Sequence, residues 1–230
     1  MLIKRKLLLG EYNTAEHLWT LASCTFSDPV QVRTLLAVPG RRKGPLDIST
    51  VLTDGDPVYD SRTLTAVLES SEGNRLEREA RIAQMVNWLD GWWVNIILPD
   101  EIETGRYIRG TVSVKKIYNN LAHAQVQVTA VCEPWIYEAD ETVATFTAGA
   151  TEKTSTLTNN GRLAVVPLLV ITDAADGTAA RVLLKYGGLS WSLGAGSYAL
   201  PDLQLKAGGL TLAYSGTGSL KFTYREGRLL

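Results

Sequence analysis

Between Asn74 and Gly91 apolar residues recur at spacings of three and four. Leu76, Ala80 and Ala83 fall on one line, and Ile82, Met85, Val86 and Leu89 on another. A chain turning every 3.6 residues gathers such positions onto one face. The spacing therefore predicts an amphipathic helix from about residue 75 to 90, lying across a sheet. Asn74 can accept the first free backbone N–H groups, and Glu77 three positions on completes a capping-box pattern. Gly91 supplies the left-handed stop. Trp88, inside the pattern, is expected in the core.

Elsewhere the period is two. Leu64, Ala66 and Leu68 alternate with Thr63, Thr65 and Val67, as a half-buried strand requires. Thr111–Tyr118 and Leu121–Cys132 flank Asn119-Asn120, a dipeptide that tolerates the positive φ of a tight turn. Residues 111 to 132 are thus expected to form one long antiparallel hairpin. Val94–Leu98, ending at Pro99-Asp100, reads as a short buried strand. Cys24 lies in phase with Leu18, Thr20 and Ala22, and Cys132 with Val126, Val128 and Ala130. Both cysteines read as small inward-facing hydrophobes and not as a disulfide.

The texture changes after about residue 138. Five of the six tryptophans precede that point, with only Trp191 following, and no helical period appears beyond it. Short apolar runs such as Arg181–Tyr186, Leu189–Leu193, Leu210–Tyr214 and Leu220–Tyr224 alternate with turns at Asp176-Gly177, Gly187-Gly188, Gly208-Gly209 and Gly216–Gly218. Turns at such intervals indicate a β-sandwich or jelly roll. The Thr/Ala/Gly-rich stretch 144–161 fits a domain link or an edge strand. The expected boundary is near residue 140, dividing the chain into 1–140 and 141–230. The fold class is mainly β: an N-terminal β-sandwich with one α-helix, then a second β-sandwich.

Composition narrows the function. Of 230 residues, 45% are hydrophobic and 20% charged, which suits a folded chain with a proper core. Net charge is −1, without the basic excess that draws nucleic acid by counterion release. No apolar run reaches the roughly 18 residues that span a bilayer, and no signal-peptide pattern precedes the first strands. The protein is therefore expected to be made in the cytoplasm. The two histidines, His17 and His123, leave little scope for acid–base catalysis, and no nucleophile elbow, P-loop or metal-ligand spacing is present. Asp54, Asp56 and Asp60 lack the downstream Glu of a calcium loop. Asp100, Glu101 and Glu103 read as a solvated turn. No catalytic residue, cofactor site or metal site is expected; the chain is not read as an enzyme.

One ordered set of motifs is more specific. It begins with Pro29-Val30-Gln31-Val32-Arg33-Thr34-Leu35-Leu36-Ala37-Val38-Pro39-Gly40, continues with Gly44-Pro45-Leu46-Asp47-Ile48-Ser49, and then Val58-Tyr59-Asp60-Ser61-Arg62-Thr63-Leu64. Beyond the helix come Arg106-Tyr107-Ile108-Arg109-Gly110 and Val131-Cys132-Glu133-Pro134-Trp135-Ile136-Tyr137, then Asn159-Asn160-Gly161-Arg162, Pro167 and Leu210–Gly218. In this order and at similar spacing, the set resembles the distal tail proteins of siphophages and related prophage tails. Where that family often has Asp-Gly after Arg, this chain has Arg42-Lys43-Gly44, one residue longer.

The resemblance implies a virion structural protein at the distal end of a long phage tail. Its second domain would be galectin-like. Copies would assemble into a hexameric hub ring between the major tail tube protein and the tail-tip or baseplate proteins, with DNA passing unrecognised through the lumen and no membrane partner. A ring needs two different patches that meet between neighbours. The candidates are Arg41, Arg42 and Lys43 in the Pro-Gly loop, Trp92 and Trp93 after the helix, and Tyr118, Asn119 and Asn120 at the hairpin turn. At least one of Trp92 and Trp93 is expected at a partner. The alternative is a carbohydrate-binding module for host-surface adhesion, with Trp191 and Tyr198 as the rings that would stack on a sugar.

Overall fold

The computed structural model describes residues 6–37, 46–51 and 56–229. Among the described residues the chain is mainly β, with a single α-helix and several sheets. It divides into two compact units, one ending at Ile136 and one running Tyr137–Arg228.

The first unit is built on a seven-stranded antiparallel sheet. Its strands are β1 (Leu8–Leu9), β2 (Tyr12–Asn13), β3 (Thr20–Phe26), β6 (Arg62–Ser70), β7 (Trp93–Ile97), β8 (Ile108–Asn119) and β9 (Ala124–Cys132), in the order β2-β1-β7-β8-β9-β6-β3. Between β3 and β6, the two-residue strands β4 (Leu35–Leu36) and β5 (Leu46–Asp47) pair with each other. Helix α1 (Arg75–Leu89) packs on β8 and β9. Leu64, Ala66, Leu68, Val112, Val126, Val128 and Ala130 alternate inward from three adjacent strands, and Ile82, Met85 and Leu89 close on them. At about 25 cal/mol per Å² of apolar surface removed from water, this face holds the unit together.

Two details depart from the pattern read along the chain. The β3 ladder shifts register between Leu21 and Ser23. The bulge moves the inward parity from Trp19 and Leu21 to Cys24 and Phe26, so Leu18, Thr20 and Ala22 are exposed while Cys24 packs on the core. Cys132 is buried beside Val126, Val128 and Ala130, and both thiols are free. The hairpin turn is not the Asn119-Asn120 dipeptide. It spans Asn120–His123, because Asn120 Oδ1 accepts from the backbone N–H groups of Ala122 and His123 and Asn119 stays in the strand.

After β10 (Ile136–Tyr137) the second unit contains β11 (Thr142–Thr147), β12 (Lys153–Leu157), β13 (Leu168–Thr172), β14 (Arg181–Tyr186), β15 (Leu189–Leu193), β16 (Gly196–Ala199), β17 (Leu210–Thr217), β18 (Ser219–Tyr224) and β19 (Gly227–Arg228). Two four-stranded antiparallel sheets, β11-β18-β13-β16 and β12-β17-β14-β15, contribute to one core of Leu157, Leu169, Val182, Leu184, Leu212, Leu220 and Phe222. This is a β-sandwich. The stretch 144–161 holds most of β11 and all of β12, two of its four edge strands. Gly187 and Gly188, both at positive φ, make the two-residue turn of the β14–β15 hairpin, where only glycine adopts both conformations freely.

Candidate subunit interface at the two ends of the helix

The helix starts as its sequence dictates. Asn74 Oδ1 accepts from the N–H groups of Leu76 and Glu77, and Glu77 Oε2 accepts from Asn74 N–H, completing the capping box. Its phase is less simple. The buried stripe is Arg78, Ile82, Met85 and Leu89, whereas Leu76 is 81% exposed and Ala80 and Ala83 face solvent. Both stripes satisfy a three-four spacing, so periodicity could not choose between them.

The choice rests on Arg78. Its guanidinium, 1% exposed, donates to Gly73 O, to Asn120 O at 2.8 Å, to Leu121 O at 3.1 Å and to Asn119 Oδ1 at 3.3 Å. A planar cation with five donors in a fixed fork matches this ring of acceptors. Asn119 Nδ2 donates in turn to Arg75 O and Glu79 Oε2, and Glu79 meets Lys116 at 2.6 Å. The hydrogen bond from Asn119, with that from Lys116, holds the exposed Glu79 carboxyl below its ordinary pKa. The helix N-terminus therefore braces the hairpin tip. Asn119 and Asn120 are spent on that bracing, while Tyr118 is half-buried with its ring edge-on to His123 at 5.3 Å. What the tip offers outward is Leu121, 90% exposed.

At the other end of α1, where Gly91 at a φ of +79° turns the chain out of the helix, there is an aromatic group. Tyr12 is buried in β2, and His17 stacks on its ring at 4.1 Å. Burial pushes the Tyr12 phenol up to about 12, against a smaller opposing pull from the Trp19 indole. Trp88 stands edge-on to Tyr12 and His17 at 5.7 Å each. It is not in the core as expected, but 53% exposed, because it flanks the stripe that Met85 and Leu89 bury.

Trp92 and Trp93 are 61% and 54% exposed. Strand alternation sends them to opposite faces: Val94 and Ile96 point to the core, so Trp93 lies on the outer face of the sheet, opposite Thr111 of β8. Trp92 joins Leu9, Gly10, Glu11, Tyr12, Trp88, Leu89 and Val94 around a groove of about 280 Å³.

Arg41, Arg42 and Lys43 lie outside the described residues, as does Asp54. Among the described residues, no three metal-ligating side chains come together, and no helix is long and apolar enough to cross a membrane. Glu101 is held in its loop by Thr104 and Arg106. In the second unit, Trp191 and Tyr198 stand on edge strands of different sheets, both packed against the sandwich core, and the Tyr198 hydroxyl donates to Gly194 O at 3.2 Å. They do not share a face. The features that sequence reading missed are Arg78, Leu121 and the Tyr12–His17–Trp88 group. Leu121 alone left a trace, as an apolar residue directly after a turn signal.

The class these features define is a mainly β, two-unit chain: one helix laid across a seven-stranded sheet, then a β-sandwich. The same fold is found in the crystal structure of SPP1 Dit (gp 19.1) protein, described as a paradigm of hub adsorption apparatus in Gram-positive infecting phages. The likeness has a TM-score of 0.66 and covers 96% of this chain and 98% of that one, at 14% sequence identity. No protein-family model matches the chain, and no curated protein matches it.

Proposed function

We propose that this chain is a structural, non-enzymatic component of a long-tailed phage or prophage tail tip. In this reading it assembles into a hexameric hub ring joining the tail tube to the tail-tip or baseplate proteins. Its partners are further copies of itself, the major tail tube protein and a tail-tip protein, and its place is the distal end of the virion tail. DNA is not recognised. The two units, divided near residue 140, act as ring-forming and galectin-like peripheral domains.

One observation carries the reading. The likeness to a phage hub protein extends over 96% of the chain, so both units and their order are shared, not one common module. The exposed aromatic residues after the helix add support, since tryptophan on a surface is characteristic of contact hot spots. Native mass spectrometry and negative-stain imaging over increasing concentration test it. Six-fold rings are the expected result, and a monomer at every concentration overturns it. No observation in the second unit favours the carbohydrate-binding alternative, because Trp191 and Tyr198 turn toward the core.

A further inference from the structure

We infer that the ring contact is head-to-tail along α1: Leu121, at the hairpin tip of one copy, seats in the Tyr12–Trp88–Trp92 groove of the next. This rests on the self-assembly reading above. Three features converge on it. First, the tip presents Leu121, 90% exposed, on a turn that the Arg78 guanidinium fixes from beneath. A knob held rigid before contact loses little entropy on docking. Second, the groove is apolar on its walls and flanked by two tryptophans more than half exposed. This is the kind of pocket in which an aliphatic anchor is desolvated.

Third, the charges of the two ends are compatible. The groove lies at the carbonyl end of the helix, beside Glu11, Glu16 and Asp90, all exposed, and the last helical turn has no basic residue. The tip lies at the N–H end, where Arg75, Arg78 and Lys116 stand against Glu72, Glu77 and Glu79. The tip therefore brings no net negative charge to the acidic groove. The helix dipole is positive at the tip and negative at the groove. A second copy of the chain brings the matching surface to either end.

The geometry also bears on the type of assembly. Knob and groove sit at opposite ends of a helix of 15 residues, roughly 22 Å at 1.5 Å per residue. Two copies that exchanged tips reciprocally across a two-fold axis would stop at a dimer. A contact passed on in one direction is heterologous and closes into a ring or grows as a filament, which is the form the ring reading requires.

The test uses full-length Leu121→Asp and a Trp88→Ala/Trp92→Ala double variant, each checked by circular dichroism for an unchanged fold. Each alone is expected to be monomeric at concentrations where the wild-type chain forms rings. Mixed in equal amounts, they should form dimers and nothing larger, because the Asp variant keeps its groove and the Ala variant keeps its tip, leaving one good junction per pair. Rings from either variant alone, or no dimer on mixing, overturn the docking while leaving the ring reading intact. A wild-type chain that never assembles overturns the reading on which it rests.

Discussion

A buried guanidinium without a carboxylate partner is the most consequential single residue here. Arg78 is held by three backbone carbonyls and one amide oxygen, so its removal strands acceptors that water cannot easily reach. Arg78→Met is expected to lower unfolding free energy in urea by about 2–4 kcal/mol. Arg78→Lys should recover only part of the loss, since an ammonium cannot present the same fork. A second expectation concerns alkaline pH. Burial, with smaller opposing effects, pushes the Cys132 thiol up to about 11, and burial pushes the Tyr12 phenol up to about 12. Both groups stay protonated in the folded chain at pH values where they ionise in the unfolded one. Their contribution is complete below about pH 9 and is lost as pH rises through 11 to 12. Chemical denaturation at stepped pH should show stability falling from about pH 9 upward, with a shallower fall in Cys132→Ala.

At the scale of elements, the capping box and the β3 bulge show local sequence and tertiary structure acting in turn. Asn74→Ala removes two accepted hydrogen bonds at the helix start and should cost about 1 kcal/mol. Because the same turn of helix carries Arg78, amide exchange should quicken at residues 120–123 as well as at 75–78. Exchange confined to the helix would show that cap and hairpin tip are uncoupled. The bulge at Ala22 escaped the sequence reading for a physical reason: an extra residue in an edge strand leaves the composition unchanged and only reverses parity. The helix phase escaped for a related one. Two stripes had the right spacing, and the carbonyls that select Arg78 come from a turn about forty residues away in sequence.

For the whole molecule, the two units have separate hydrophobic cores, which predicts separable unfolding. Gly216 offers a selective probe, since its φ is +117° and an added Cβ would lie 1.9 Å from Arg181 O. Gly216→Ala should lower one calorimetric transition, belonging to the sandwich, and leave the other unmoved. A single transition that shifts as a whole would show that the units melt together. Assembly operates at this scale too, because the tip and the groove belong to the same chain and yet are too far apart to meet within it.

The sequence by itself determined the kind and place of several elements: one capped helix, a long hairpin, a strand after Gly91 and a series of glycine-punctuated strands in the second half. These follow from periodicity, capping and turn chemistry, which act between residues close along the chain. It also held the ordered motifs that resemble a phage tail family. The tertiary structure alone decided which helical stripe is buried, that Asn119 and Asn120 brace the tip while Leu121 faces out, and that Trp88 and Trp92 line a groove while Trp93 lies on the opposite face. Exposure and pairing at those positions depend on what long-range packing brings alongside, and no local pattern encodes that.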